Sequence, residues 1–482
     1  MNIKALTLFF FIIAFGLSDD SQILVKVKDR IVTKNDFIKR SEFTIRPNYC
    51  RSDNNIHKKI ILNSLVAEKL MAIEIEPFVD ESNFSSDFLS GIKEQKMREV
   101  YLNNEVYSEI QIDSLLINEH FYNSTKTYGF NFVSFSNDTI AANFNYYLSN
   151  GKSFEEISYD YLNVENIPYR QVDYNSENDP NVFFEIFSQK LKSNDILGPV
   201  ISKDKKILFL KVVDIKDAPL ITPKEKQNQF DMVYQRLLEL KQIEAYDKFV
   251  LNLMSGSRLK FHEKPFFKLA EKAYNFYILK NGVDKLEKQA FSLLDYMDEL
   301  QLKKEETFLN YNEKSLSIED VDRLISKHPL LFRKEDISAE EFPLQFKYSI
   351  VDLIRDEEIN QIAYLNNYDK HIEVISEYNL FKDATLSTLH SRAILDRNNI
   401  SSSEFDDNHI EILKDVFDPY IDSLKIKYSD QIQIDFDVFK DIKLTQIDLY
   451  AYKKGVPYPM LVPLFPIITK KHAIDYGSPF NF

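Results

Sequence analysis

One pattern occurs twice along this chain, and it constrains the architecture more than any other feature. In its first occurrence Ile23-Leu24-Val25-Lys26-Val27 reads as a short strand, Lys28-Asp29-Arg30 as a turn, and Thr33-Lys34-Asn35-Asp36 as the start of a helix carrying Phe37 and Ile38. A Thr followed three residues on by an acid satisfies unpaired N–H groups of a first helical turn through its hydroxyl and the carboxylate. A longer helix over 60–75 places Ile61, Leu62, Leu65, Val66 and Leu70 at helical spacing, with Glu68 and Lys69 on the other side, and Pro77 helps to end it.

The second occurrence keeps the order. Phe308-Leu309-Asn310-Tyr311 is the strand, Asn312-Glu313-Lys314 the turn, Ser317-Ile318-Glu319-Asp320 the cap, and Ile350, Leu353, Ile354 and Ile359 mark the longer helix. A closing element recurs as well: Leu259-Lys260-Phe261 with Phe266 and Leu269, and Ile432-Gln433-Ile434 with Phe439 and Ile442, each a short alternating strand leading into a helix. The pattern therefore predicts two helical modules. The first is split between 19–118 and 220–280 around an insert at 119–219, and the second runs over 281–442. Beyond it, Pro457, Pro459, Pro463 and Pro466 predict that the tail 443–482 lies extended.

At 482 residues the chain is long enough for about three domains. Acids outnumber bases, 75 to 60, so no basic stripe marks a nucleic-acid partner. Only 9 glycines are present, and neither G-x-x-x-x-G-K nor G-x-G-x-x-G occurs, which argues against nucleotide chemistry. The lone Cys50 supports neither a disulfide nor a C-x-x-C site, and the eight histidines include no pair at metal-ligand spacing, so no metal or other cofactor is expected. Met1 to Ser18, with Lys4, the apolar run Ala5 to Phe15 and small residues before Asp19-Asp20, reads as a secretory signal peptide, too short to span a bilayer. A periplasmic or secreted product with no membrane span in the mature chain is expected.

Within the insert, Phe130 to Phe135 alternates like a strand and Ala141 to Leu148 reads as a helix. Gly151-Lys152-Ser153-Phe154-Glu155-Glu156-Ile157 leads into another helix; Phe187-Ser188, Asp195-Ile196-Leu197-Gly198-Pro199-Val200 and a last strand over 207–213 follow. This order resembles a parvulin-type prolyl isomerase domain over about 116–219. The capped modules around it resemble the helical core of the SurA-type periplasmic chaperones. The resemblance implies an α+β, mostly helical fold, with duplicated SurA-N-like chaperone modules and an inserted parvulin-like α/β domain.

Active parvulins carry a histidine on the first and on the last strand, and the resemblance puts Asn131 and Leu208 at those positions. The catalytic pair is therefore missing, and isomerase activity is left open. For peptide binding it points to Val182, where the family has a proline-contacting Phe, to its neighbours Phe183, Phe184 and Phe187, and to Leu208. The expected function is that of an exported folding factor whose helical cradle holds unfolded clients, such as outer-membrane protein precursors, without ATP. Two alternatives stand beside it: an active isomerase using polar groups such as Asn131 and Tyr128, and a structural subunit of an envelope assembly.

Overall fold

The computed structural model describes residues 22–79, 86–164, 166–279, 291–334, 337–444 and 461–479. The expected leader lies outside them, as do Pro457 and Pro459. The fold is α+β and mostly helical. It begins with the hairpin β1 (Ile23–Val27) and β2 (Arg30–Thr33), then α1 (Lys34–Glu42), α2 (Asn55–Ile75), α3 (Ser86–Glu105) and α4 (Ser114–Asn123). Next come β3 (Lys126–Phe135), α5 (Asp138–Ser149), α6 (Phe154–Asp160), β4 (Tyr169–Val172), α7 (Pro180–Phe187), β5 (Ile196–Ile201), β6 (Ile207–Asp217) and α8 (Pro223–Leu253). The chain continues through β7 (Leu259–Phe261), α9 (Glu263–Tyr274), α10 (Met297–Leu300), β8 (Thr307–Tyr311), β9 (Lys314–Ser317), α11 (Ile318–Lys327) and α12 (Phe342–Leu365). It closes with α13 (Ile372–Arg397), α14 (Ser402–Ile412), α15 (Asp418–Lys427), β10 (Ile432–Ile434), α16 (Phe436–Asp441) and β11 (Ser478–Pro479). Leu102–Leu253 forms one compact unit, and the residues before and after it form a second, larger one.

In the larger unit both hairpins form where the sequence puts them. Each turn uses a left-handed residue, Lys28 at φ 57° and Asn312 at φ 53°. Each hairpin leads into a helix closed by a capping box: Asp36 N–H donates to Thr33 Oγ1 at 3.0 Å, and Asp320 N–H to Ser317 Oγ at 3.1 Å. The carboxylates return the bond, accepting from Thr33 N–H at 3.0 Å and Ser317 N–H at 2.9 Å.

The closing strands pair opposite to expectation. β7, assigned from its position to the first hairpin, pairs antiparallel with β8, Leu259 facing Tyr311. β10, assigned to the second, pairs with β1, Val25 facing Ile434. The strand that joins the first hairpin is therefore 432–434, and 259–261 joins the second. Burial is the physical reason: Ile432 and Ile434 lie in the core made by Leu24, Phe37, Leu65 and Phe417, whereas Phe261 packs on Phe266 and Phe308. Two strands with the same apolar–polar–apolar pattern are locally interchangeable, so only these longer-range partners distinguish them.

Helix α2 departs further from its sequence reading. Its apolar face is buried as expected, but Glu68 and Lys69, seven residues on from Ile61 and Leu62, share that face rather than opposing it and are buried too, each 1 % exposed. Helix α13 covers that side and gives Lys69 its counter-charge in Asp383, while Arg40 pairs with Glu68, so the middle of α2 is enclosed all round. Near α3, a Cβ at Gly91 would sit 1.9 Å from the Lys327 carbonyl oxygen, a backbone approach that only glycine permits.

The described tail, 461–479, is extended as expected and lies on this core. Phe465 and Ile468 are buried in it, Arg40 donates to the Leu464 carbonyl at 2.7 Å, and Asn63 Nδ2 donates to the carbonyls of Lys471 and Ala473. β11 then adds in parallel to β10.

The smaller unit holds one antiparallel sheet in the order β4-β3-β6-β5. Its aromatic pleat packs on both faces, against α5 and α6 on one side and against α4, α7 and α8 on the other. Gly198, in the motif 195–200, sits at φ 123°, and a Cβ there would lie 2.6 Å from the Leu208 carbonyl oxygen, which accounts for glycine at that position.

Candidate functional site

Strand alternation decides whether the two positions singled out on β3 and β6 can cooperate. Ser134 faces Leu208, Phe132 faces Leu210 and Phe130 faces Val212, and these side chains belong to the α7 side of the sheet. Asn131 faces Lys211 and Val133 faces Phe209, on the α5–α6 side. Asn131 and Leu208 therefore point to opposite faces and share no site. Lys211, opposite Asn131, is held by Glu155 at 2.5 Å. Tyr128 is on the α7 side too. Its hydroxyl is buried 3.5 Å from Asn123 Oδ1, and burial pushes its pKa up to about 12, so it keeps its proton at neutral pH.

Helix α7 starts at Asp179, whose carboxylate accepts from the N–H groups of Asn181 and Val182, with Pro180 in the first turn. Of the five peptide-binding candidates, Val182, Phe183 and Phe187 are buried in the core below α7. Phe184 and Leu208 are half-buried at its margin, and the Lys241 ammonium lies 5.9 Å from the Phe184 ring. The helix thus spends its largest rings on holding the sheet. Tyr174 stands edge-on to Phe183 at 4.9 Å and to Phe187 at 5.0 Å.

His120, the one histidine within 119–219, joins this core. Its ring stacks on Phe183 at 5.6 Å, with Nδ1 3.0 Å from the Tyr174 hydroxyl and Nε2 3.3 Å from Ser188 Oγ. Burial lowers its pKa to about 4 from the usual 6.5. Between those values the unfolded chain binds a proton that the folded chain does not. Stability should therefore fall as pH drops from 6.5 to 4, by on the order of 2 kcal/mol. Thermal melts across that range should show the slope, and His120→Phe should flatten it.

The larger unit contains a cavity of about 260 Å3 between β2 and the start of α13. Asp29, Asp36, Glu76 and Lys382 stand among its lining residues, Ile31, Ile372, Ile375 and Leu380 supply apolar wall, and Arg30, Lys69 and Asp383 form a charged floor. The floor is one line of alternating charge. Glu76 pairs with Arg30, Arg30 with Asp383, Asp383 with Lys69 at 2.9 Å, Lys69 with Glu68 at 3.7 Å, and Glu68 with Arg40 at 2.6 Å. Sequence reasoning missed this site because it set Glu68 and Lys69 on the side away from the apolar residues of the helix. The available signal was a pair of charges inside the long apolar run from Ile60 to Ile73.

Among the described residues no helix is long and apolar enough to cross a membrane. No protein-family profile matches this sequence, and no curated protein does. Among solved structures, a foldase protein, PrsA, from Lactococcus lactis aligns over 48% of this chain and 93% of its own, at 11% identity and a TM-score of 0.19. A likeness of that strength does not establish a shared fold.

Proposed function

We propose that this protein is an exported folding factor whose helical unit holds non-native polypeptide, including outer-membrane protein precursors, and whose smaller unit is a parvulin-like domain without isomerase chemistry. The observation that carries this reading is the order of elements in 126–217, strand, two helices, strand, helix and two strands in an antiparallel β4-β3-β6-β5 sheet, on which Asn131 and Leu208 face opposite ways. Prolyl isomerisation needs no nucleophile or metal, only a dry pocket and polar groups that favour the twisted amide over the planar one. Neither Asn131 with Leu208 nor Asn131 with Tyr128 supplies such a pair, since the members of each lie on opposite sides of the sheet.

A protease-coupled assay on a prolyl peptide should therefore show the full-length chain leaving the cis-to-trans rate at its uncatalysed value, tens of seconds at 25 °C. The same preparation should suppress aggregation of an unfolded β-barrel precursor without ATP. Rate acceleration that Asn131→Ala abolishes would restore the isomerase reading, and failure to protect the precursor would remove the folding-factor reading.

A further inference from the structure

We propose that the groove between the β2 edge and the first turns of α13 binds an extended polypeptide segment, pairing its backbone to Ile31 and seating an uncharged side chain in the cavity. This rests on the folding-factor reading and names the place where such a chain would lie.

Backbone geometry identifies the occupant. Among the described residues β2 is the terminal strand of its sheet. In β1 the even-numbered residues bond towards β10: Lys28 N–H donates to Gln431 O at 2.9 Å, and the Leu24 carbonyl accepts from Asp435 N–H at 2.9 Å. The odd-numbered Val25 and Val27 therefore bond to their partners Val32 and Arg30. Ile31, opposite Lys26, is the position whose N–H and C=O turn away from β1 towards the open edge. A donor and an acceptor one residue wide on a strand edge are matched by another extended backbone.

The side walls fit the same ligand. Ile31 is 44 % exposed, and across the cavity Ile372 and Ile375, one helical turn apart, are 74 % and 39 % exposed. Ser376 and Asn379 add uncharged hydrogen-bonding groups to that wall. At about 260 Å3 the cavity is far larger than the roughly 10–15 Å3 that holds one water. Four acids, Asp29, Asp36, Glu76 and Asp383, and three bases, Arg30, Lys69 and Lys382, line it, and the bases are already paired, Arg30 and Lys382 with Glu76 and Lys69 with Asp383. A charged ligand side chain would compete with those pairs, whereas an uncharged one would leave them intact.

The test uses fluorescence anisotropy with the full-length chain and a fluorescein-labelled dodecapeptide of alternating threonine and glutamine. Three changes should each weaken binding about tenfold: N-methylation of alternate peptide residues, Ile31→Pro, which removes the outward N–H from an edge strand that tolerates proline, and Ile375→Glu. A peptide with lysine or glutamate in place of glutamine should bind more weakly than the neutral one. Because the methylated peptide is read against the unaltered protein, a folding defect in a variant cannot mimic the result. Equal binding of the methylated and plain peptides, or no binding of either, overturns the assignment even if the chain still protects unfolded clients. Methyl-sensitive binding in a chain that protects no client upholds the groove and overturns the folding-factor reading.

Discussion

Asp383→Ala should cost the larger unit about 3–5 kcal/mol, because it removes the buried carboxylate that two cations share and leaves Arg30 to Glu76 alone and Lys69 to Glu68 alone. Arg30 and Lys69 both lean on that carboxylate, whose own side chain is nearly fully buried. The paired replacement Lys69→Met with Asp383→Leu should recover most of the loss, since apolar side chains need no counter-charge. Lys69 also gives the network a pH signature. Burial, partly offset by Glu68, lowers its pKa to about 8 from 10.5. Over that window the unfolded chain binds the extra proton, so stability rises with pH, and Lys69→Met should remove its share of the slope. Lys425, brought to about 8 by burial, contributes over the same range, so the slope should shrink rather than vanish. Denaturant titrations from pH 7.5 to 10.5 measure both effects. A loss below about 1 kcal/mol for Asp383→Ala would mean that the line of charges contributes nothing to holding α13 on α2.

Phe183→Ala should destabilise the smaller unit by about 3–5 kcal/mol while leaving unchanged the client protection proposed for the larger unit. The ring is fully buried, stacks on His120, stands 5.1 Å from Phe187, and lies under the Arg236 guanidinium at 5.4 Å. Its removal opens a cavity that well-packed neighbours cannot fill. Hydrogen exchange of the β3 and β6 amides reports the loss, and the aggregation assay tests whether client binding survives. A variant that stays stable and loses client binding would return Phe183 to the role of a peptide contact.

How much was legible depended on the range of the forces involved. Thr33 with Asp36 and Ser317 with Asp320 were readable as caps because each bond spans three residues and closes on the local backbone. The strand–helix alternation of 126–217 was readable for the same reason, since periods of 2 and 3.6 are written directly in the residues. The candidate site was less legible. Val182, Phe183, Phe184 and Phe187 were singled out as peptide contacts, yet an amphipathic pattern shows one face without saying whether core or ligand covers it. The cavity beside β2 left only one mark, the Glu68-Lys69 pair inside an apolar run, since its floor brings Asp383 to Arg30 and Lys69 from more than three hundred residues away.

By itself the sequence determined the elements: two hairpins that run into capped helices, an aromatic antiparallel sheet with its glycine-bearing bend, and an extended proline-containing tail. Tertiary structure alone decided that β10 joins β1 while β7 joins β8, that Glu68 and Lys69 are enclosed, and that Asn131 and Leu208 turn their backs on one another. Local bonds set the first group within a few residues. The second depended on which distant surfaces could bury each apolar side chain and balance each charge, and near neighbours in the chain carry no record of that.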